Sequence, residues 1–177
     1  TGGQPSNMPD YDRDSTGWSR FSLPPAASTS ELVASDASAP CGGVFSCMRD
    51  LCAWIQFQMH SDTTRRHVLS AETLQALHSI QIGCPAVIRG PEAQDGGVGM
   101  GWFSQSYRGH RLVATWGGGS SATVCSFMPD DGLGACVHSN RAGSSFHAVN
   151  AIMLNAYDRL LGLPAIPWID RWSGRMP

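Results

Sequence analysis

The sequence contains no lysine, because all 12 basic residues among its 177 positions are arginines. A chain without lysine cannot by itself form Schiff bases, bind phosphate with a P-loop lysine or activate a serine through a Ser-x-x-Lys pair. Charged residues are also scarce, at 15% of the chain with a net charge of −2. No basic run occurs, which argues against a nucleic-acid partner or an anionic membrane surface.

Long apolar runs are missing as well. No stretch approaches the 18 consecutive apolar residues of a membrane-spanning helix, so no membrane span is predicted. The chain opens TGGQPSN, without Met and without the pattern of a signal peptide. The start is either a processed end or the cut edge of a longer gene product, and we expect the cut edge. Its length is that of one ordinary domain, and 42% hydrophobic residues suffice for a core.

Metal-binding patterns are absent too. The six histidines form no H-x-H or HExxH pair, and the cysteines form no C-x-x-C pair or zinc-finger spacing, so neither a metal nor a cofactor is expected. The favoured interpretation is a set of unpaired core thiols, with two cysteines in a helix and two in strands. One or two disulfides remain possible. The cysteines are Cys41, Cys47, Cys52, Cys84, Cys125 and Cys136.

The composition changes near residue 42. Residues 1–41, rich in Ser, Pro, Ala and Asp, predict an extended arm and linker with a possible short strand at 18–23. Residues 42–177 carry the patterns of a folded domain. An apolar stripe predicts a helix from Ser46 to about His60, formed by Met48, Leu51, Cys52, Ile55 and Met59.

Two further helices are predicted by their capping signals. Ser70 is suited to cap a short helix with the sequence AETLQALH. Ser144 or Ser145 is suited to cap a final helix, whose apolar arc should lie against a sheet and includes Leu160. Gly162, followed by Leu163 and Pro164, predicts a Schellman-type end for that helix.

Between these helices the pattern changes to that of strands. Residues 82–97 read as a loop, and a four-stranded antiparallel meander is predicted at 98–102, 111–116, 122–128 and 133–139. The expected turns are Arg108-Gly109 and Pro129-Asp-Asp-Gly132. His78 and His110 stand at element ends, where solvated histidines are ordinary. The fold class is therefore α+β.

Five strings in this order resemble the C-terminal half of the serine β-lactamase and penicillin-binding-protein-like superfamily, with its esterase, D-aminopeptidase and class C β-lactamase members. The resemblance covers about 42–172, with a weaker match near 10–24. It implies that 42–177 is the C-terminal part of a β-lactamase-like domain, in which a helical region and an antiparallel sheet enclose the active site. The strings are GGVFSCMRDLCAWIQFQM, LSAETLQALH, VGMGWFSQSYRGHRLVATWGGG, FMPDDGLGACVHSN and YDRLLGLP.

The resemblance also implies a chemistry, which is acyl transfer to a Ser-x-x-Lys serine assisted by a Tyr-x-Asn or Tyr-x-Ser motif. Neither motif is in this chain. A third motif, Lys-Thr-Gly or His-x-Gly on the strand that lines the cleft, matches Trp116, Gly117 and Gly118. The glycines would let an acyl substrate lie against the backbone, and Gly119 would offer an oxyanion N–H. Trp116 would be an apolar wall or an indole donor. The alternative is a glycine-rich turn with Trp116 in a core.

Two hypotheses about function follow. In the first, the chain is the C-terminal portion of a serine hydrolase that acts on a small ester, amide or peptide. In the second, it is a non-catalytic remnant or pseudoenzyme that serves as a binding or structural module. In the first case the family's first strands and first helix are missing, so the isolated meander should have an uncovered sheet edge through which the chain self-associates.

Overall fold

A computed structural model of the chain describes residues 10–14, 17–21, 44, 46–59, 69–88, 90–118, 121–140 and 145–172. Within these ranges the fold is α+β, with helices and an antiparallel sheet, which confirms the predicted fold class. None of the described helices is long and apolar enough to cross a membrane. The chain divides into two compact units. The first comprises Thr1–Asp50, Trp116–Thr123 and Val137–Pro177, and the second Leu51–Thr115 and Val124–Cys136.

The N-terminal segment contains a β-hairpin. Strand β1 (Asp10–Asp14) pairs antiparallel with β2 (Gly17–Phe21), and Asp10 lies opposite Phe21. Strand β2 accounts for the short strand that the sequence suggested at 18–23. The remainder of the predicted arm and linker lies outside the described residues.

Helix α1 (Met48–Gln58) follows the predicted helix, although its buried stripe is narrower than expected. Ile55 is buried and Leu51 and Met59 pack beside it, whereas Met48 and Cys52 are exposed. Helix α2 (Ala71–His78) forms as predicted. The Ser70 hydroxyl caps it by accepting a hydrogen bond from the Thr73 backbone N–H at 3.2 Å.

The main sheet has six described strands in the order β3-β4-β5-β6-β7-β8, two more than the sequence predicted. The predicted loop at 82–97 contains β3 and all of β4 except its last residue, and of the predicted strand at 98–102 only Val98 is in a strand, since 99–102 connect β4 to β5. The turns at Arg108-Gly109 and 129–132 form as expected. The strands are β3 (Ile82–Gly83), β4 (Ala93–Val98), β5 (Phe103–Tyr107), β6 (His110–Gly118), β7 (Ala122–Met128) and β8 (Leu133–Ser139).

The glycines of β4 explain why the sequence pattern did not predict this strand. A Cβ added to Gly96 would lie 2.6 Å from the backbone of Ala86, and one added to Gly97 would lie 2.9 Å from the carbonyl oxygen of Ile82. The strand is therefore held by close backbone approach rather than by alternating large side chains. A bulge between Gln94 and Gly97 further interrupts its alternation.

The core of the second unit joins α1 to the sheet. Ile55 packs with four buried residues, Trp102, Val113, Cys125 and Phe127. A Cβ added to Gly134 of β8 would lie only 2.6 Å from Cγ2 of Ile55. The absence of a side chain at Gly134 therefore lets α1 approach the strand closely. Gln105 stabilises the segment before β4, because its side-chain oxygen accepts backbone N–H bonds from Val87 (2.9 Å) and Ile88 (3.3 Å).

The first unit ends in two helices, α3 (Ser145–Leu160) and α4 (Trp168–Trp172). The predicted Schellman end of α3 is confirmed: Gly162 has a φ of 67°, its N–H bonds the Arg159 carbonyl, and the Leu163 N–H bonds the Asp158 carbonyl. The prediction that Leu160 is buried is wrong. Leu160 occupies the last position of α3, and its residue surface is 65% exposed.

Candidate functional site

The candidate site lies at the C-terminal end of β6, where the sequence placed Trp116, Gly117 and Gly118. Trp116 is half-buried, whereas Gly117 and Gly118 are exposed. The structure thus places these three residues consecutively on one strand. The fourth predicted site residue, Gly119, lies outside the described residues.

Successive residues of this strand end face opposite sides. The Trp116 indole N–H donates a hydrogen bond to the side-chain oxygen of Asn150 on α3 at 2.8 Å. A Cβ on Gly118 would collide with the ring of Phe146, also on α3. Because side chains alternate along a strand, Gly117 faces the other way, and among the described residues no atom beyond its chain neighbours lies within 4 Å of a Cβ there. The strand therefore has one face covered by α3 and one face open at Gly117.

The pairing of β6 also changes before this end. Its register with β5 runs from Tyr107 opposite His110 to Phe103 opposite Ala114. The last four residues of β6, 115–118, continue beyond the described pairing with β5. An extended backbone segment beyond its partner strand can receive a substrate along its edge.

Three of the cysteines meet in the second unit. The Cys136 thiol on β8 donates to the Cys125 sulfur on β7 across 3.6 Å, and Cys52 of α1 is near enough to Cys136 for each of these two thiols to influence the pKa of the other. All five described cysteines are free thiols. The sequence predicted that they lie in the core, but Cys47 and Cys52 are exposed. Cys47 also precedes α1, whereas the sequence placed it within that helix.

The hydrogen bonds among these thiols affect their acidity. The bond donated by Cys136 lowers the pKa of the Cys125 thiol. Bonding to Cys125, together with burial, raises the pKa of Cys136. The partial loss of solvent around its sulfur, and then the neighbouring Cys136, raise the pKa of Cys52 although the residue is exposed. Within the cluster, Cys125 is therefore the thiol with the most thiolate character.

His78 corrects the expectation of a solvated histidine, because its surface is only 5% exposed. Its Nε2–H donates to the side-chain oxygen of Gln58 at 2.7 Å, and its ring packs edge-on against Trp102 and Phe127. Burial and then the charge of Arg111 lower its pKa to about 4. The sequence did hold a signal, since His78 follows the buried Leu74 by four positions on the same helix face.

A histidine–carboxylate pair joins the start of β6 to the turn after β7. Nδ1 of His110 lies 3.0 Å from both carboxylate oxygens of Asp131. Asp131 is the turn residue that the sequence predicted. Its partner could not be read from spacing, because the two residues stand 21 positions apart. The pair fixes the orientation of the His110 ring and ties two chain turns together.

Comparison with known proteins identifies the family of the chain. A search of curated proteins and a search of solved structures each give no significant match. A protein-family model described as Beta-lactamase matches residues 3–158, which is well over half of the chain. The chain therefore belongs to the Beta-lactamase family.

Proposed function

We propose that this chain forms the sheet wall of a serine hydrolase active site that cleaves neutral esters or amides through an acyl-enzyme. In this proposal residues 42–177 are the C-terminal part of the catalytic domain. Trp116, Gly117, Gly118 and Gly119 line the cleft. The Ser-x-x-Lys and Tyr-x-Asn or Tyr-x-Ser motifs come from sequence outside this chain, since the chain has no lysine.

The observation that carries the proposal is the open side of β6 at Gly117. In the described part of the chain, no atom other than those of its two neighbours lies within 4 Å of the position of a Gly117 Cβ, and the described pairing with β5 stops three residues earlier, at Ala114. A substrate carbonyl could therefore come within hydrogen-bond distance of this backbone, which a side chain at Gly117 would obstruct. Membership of the Beta-lactamase family supports the assignment of this strand to the cleft.

The proposed chemistry assigns a separate role to each part of the strand. The serine oxygen attacks the substrate carbonyl, and the negative charge that develops on the carbonyl oxygen is stabilised by the Gly119 N–H. The leaving group departs, and water then hydrolyses the acyl-enzyme. Trp116 serves as an apolar wall, because its indole N–H already bonds Asn150.

The same tryptophan favours neutral substrates. The family's third motif has a cation in place of Trp116, and such a cation helps to hold the carboxylate of a β-lactam. Trp116 carries no charge, so the proposal favours esters and amides without an acidic group next to the reacting carbonyl. Nitrocefin should therefore be a poorer substrate than p-nitrophenyl acetate.

The first test is the gene itself. Extending the reading frame upstream by about 150–250 residues, a span within the size of one domain, should reveal a Ser-x-x-Lys motif. An upstream frame without that motif would remove the catalytic proposal.

The second test is a substitution in the complete protein. Gly117→Val should reduce kcat/KM for p-nitrophenyl acetate by roughly 100-fold, because the side chain displaces the substrate from the strand. Gly83→Val is the matched control, since Gly83 is also an exposed strand glycine with nothing within 4 Å of its Cβ position. Equal activities of the two variants would contradict the placement of Gly117 in the cleft.

A second candidate function is a non-catalytic binding or structural module. The absence of lysine from this chain favours it. The discriminating experiment incubates the purified chain with p-nitrophenyl acetate and with nitrocefin. Turnover above a heat-treated control would contradict the non-catalytic candidate for the isolated chain.

A further inference from the structure

The three-thiol cluster consists of Cys52, Cys125 and Cys136, none of which is among the residues proposed to line the cleft. Two of its thiols lie close together, and the third is exposed to solvent. Cys125 and Cys136 stand on neighbouring strands, β7 and β8, with their sulfurs 3.6 Å apart. Directly opposed residues of antiparallel strands have Cα separations of about 4.5–5.5 Å, which overlap the range of disulfides. The two sulfurs therefore need to approach by less than 2 Å to reach a bond length of about 2.05 Å.

The three thiols differ in their access to solvent. Cys125 is buried, Cys136 is half-buried, and Cys52 on α1 is exposed. An oxidant dissolved in water therefore meets Cys52 first. Cys136 packs against the core cluster that contains Ile55, three positions after Cys52 on the same helix, and its sulfur lies 3.6 Å from that of Cys125.

We propose that this cluster is an oxidative modification site, at which a low-molecular-weight disulfide such as oxidised glutathione converts Cys125 and Cys136 into a cross-strand disulfide through Cys52. In the first step the Cys52 sulfur loses its proton and attacks one sulfur of glutathione disulfide. The glutathione S–S bond breaks, one glutathione thiol leaves with the proton, and Cys52 carries the other glutathione.

Two thiol–disulfide exchanges complete the reaction. The Cys136 sulfur attacks the Cys52 sulfur, which releases the second glutathione as a thiol and forms a Cys52–Cys136 bond. The Cys125 sulfur then attacks the Cys136 sulfur, and Cys52 departs as a thiol with the remaining proton. In sum, Cys125 and Cys136 lose two electrons and two protons, and one glutathione disulfide becomes two glutathione thiols.

The arginine positions allow the product to be mapped directly. Trypsin leaves Cys125 and Cys136 together in peptide 112–141, whereas Cys52 is in peptide 50–65. After treatment of the folded chain with oxidised glutathione and alkylation of free thiols, peptide 112–141 should be lighter by two hydrogen atoms and resist alkylation. Cleavage before Asp130 or Asp131 should leave its two halves linked. A lasting link between peptides 50–65 and 112–141, or a fully alkylated 112–141, would overturn the proposal.

Variants then test whether Cys52 is the thiol that reacts first with oxidised glutathione. Cys52→Ser should slow closure by roughly tenfold, since the exchange rate depends on access to the attacking thiol. Cys136→Ser should stop the reaction at a glutathione adduct on peptide 50–65. Cys47→Ser is the matched control, because Cys47 is also exposed but is not part of the cluster. Closure of Cys52→Ser at the wild-type rate, or an unmodified peptide 50–65 in Cys136→Ser, would refute the role of Cys52.

Discussion

The indole N–H of Trp116 donates a 2.8 Å hydrogen bond to the side-chain oxygen of Asn150, which joins the end of β6 to α3. We expect Trp116→Phe and Asn150→Ala each to lower the free energy of unfolding, with a coupling of about 1 kcal/mol between them. Urea denaturation of the two single variants and the double variant measures this coupling. Trp54→Phe, at an exposed position of α1, is the control and should change stability little. Strictly additive effects would contradict a direct bond.

Backbone atoms lie close to Gly99, so substitution by alanine should lower stability more at this glycine than at an uncrowded one. Gly99→Ala should destabilise the fold by about 1–3 kcal/mol, because a methyl group there would press on backbone oxygens that cannot rotate away. These are the carbonyl oxygens of Leu77 and Ser79, at 2.6 and 2.7 Å from the added Cβ. Gly83→Ala, with open space at the same position, should change little. Thermal denaturation distinguishes the two, and equal melting temperatures would refute the predicted crowding.

His78 predicts a dependence of stability on pH. Its folded-state pKa is lowered to about 4 from the ordinary value of 6.5. Between these values the unfolded chain binds a proton that the folded chain excludes, so the unfolding free energy falls as pH falls from about 6.5 to about 4. The contribution is fully present above pH 6.5 and amounts to about 3 kcal/mol.

Urea titrations at several pH values check this expectation. His78→Leu should be less stable overall, since Gln58 loses its bonded partner. The variant should nevertheless show a smaller fall in unfolding free energy over the same pH range. If both proteins lost stability equally between pH 6.5 and 4, another group would be responsible.

The edge position of β8 predicts self-association. Among the described strands, β8 has a neighbour only on its β7 side. An unpaired strand edge can pair with a second chain, and a lysine on such a strand opposes this. We expect light scattering to show concentration-dependent association of the isolated chain, reduced by His138→Lys and less affected by His138→Gln. A monomer at all concentrations would contradict this prediction.

Local signals account for the parts of the fold that the sequence predicted correctly. The cap of α2 depends on Ser70 and Thr73, three positions apart, and the end of α3 depends on Gly162 and the residues beside it. Such contacts lie within a few residues, so their pattern is visible in the chain itself. Strand β4 differs because its sequence, AQDGGV, is stabilised by distant backbone atoms that no local pattern specifies.

The candidate site likewise has residues that the sequence predicted and contacts that it did not. Trp116, Gly117 and Gly118 were identified from their resemblance to a family motif, and the structure places them on one strand end. The partner of Trp116, Asn150, is 34 positions later in the chain, and the partner of His78 is 20 positions earlier. Contacts over such separations depend on tertiary packing, which periodicity and capping rules do not describe.

The missing side chain at Gly134 has a consequence for which sequences this fold accepts. Cγ2 of Ile55 would lie 2.6 Å from a Cβ at that position, so residues 55 and 134 share one fixed volume. A gain of bulk at one site must then be matched by a loss at the other. Substitution at these two positions is therefore expected to be compensatory: Gly134→Ala should be better tolerated when Ile55→Leu, which removes Cγ2, accompanies it than when it occurs alone.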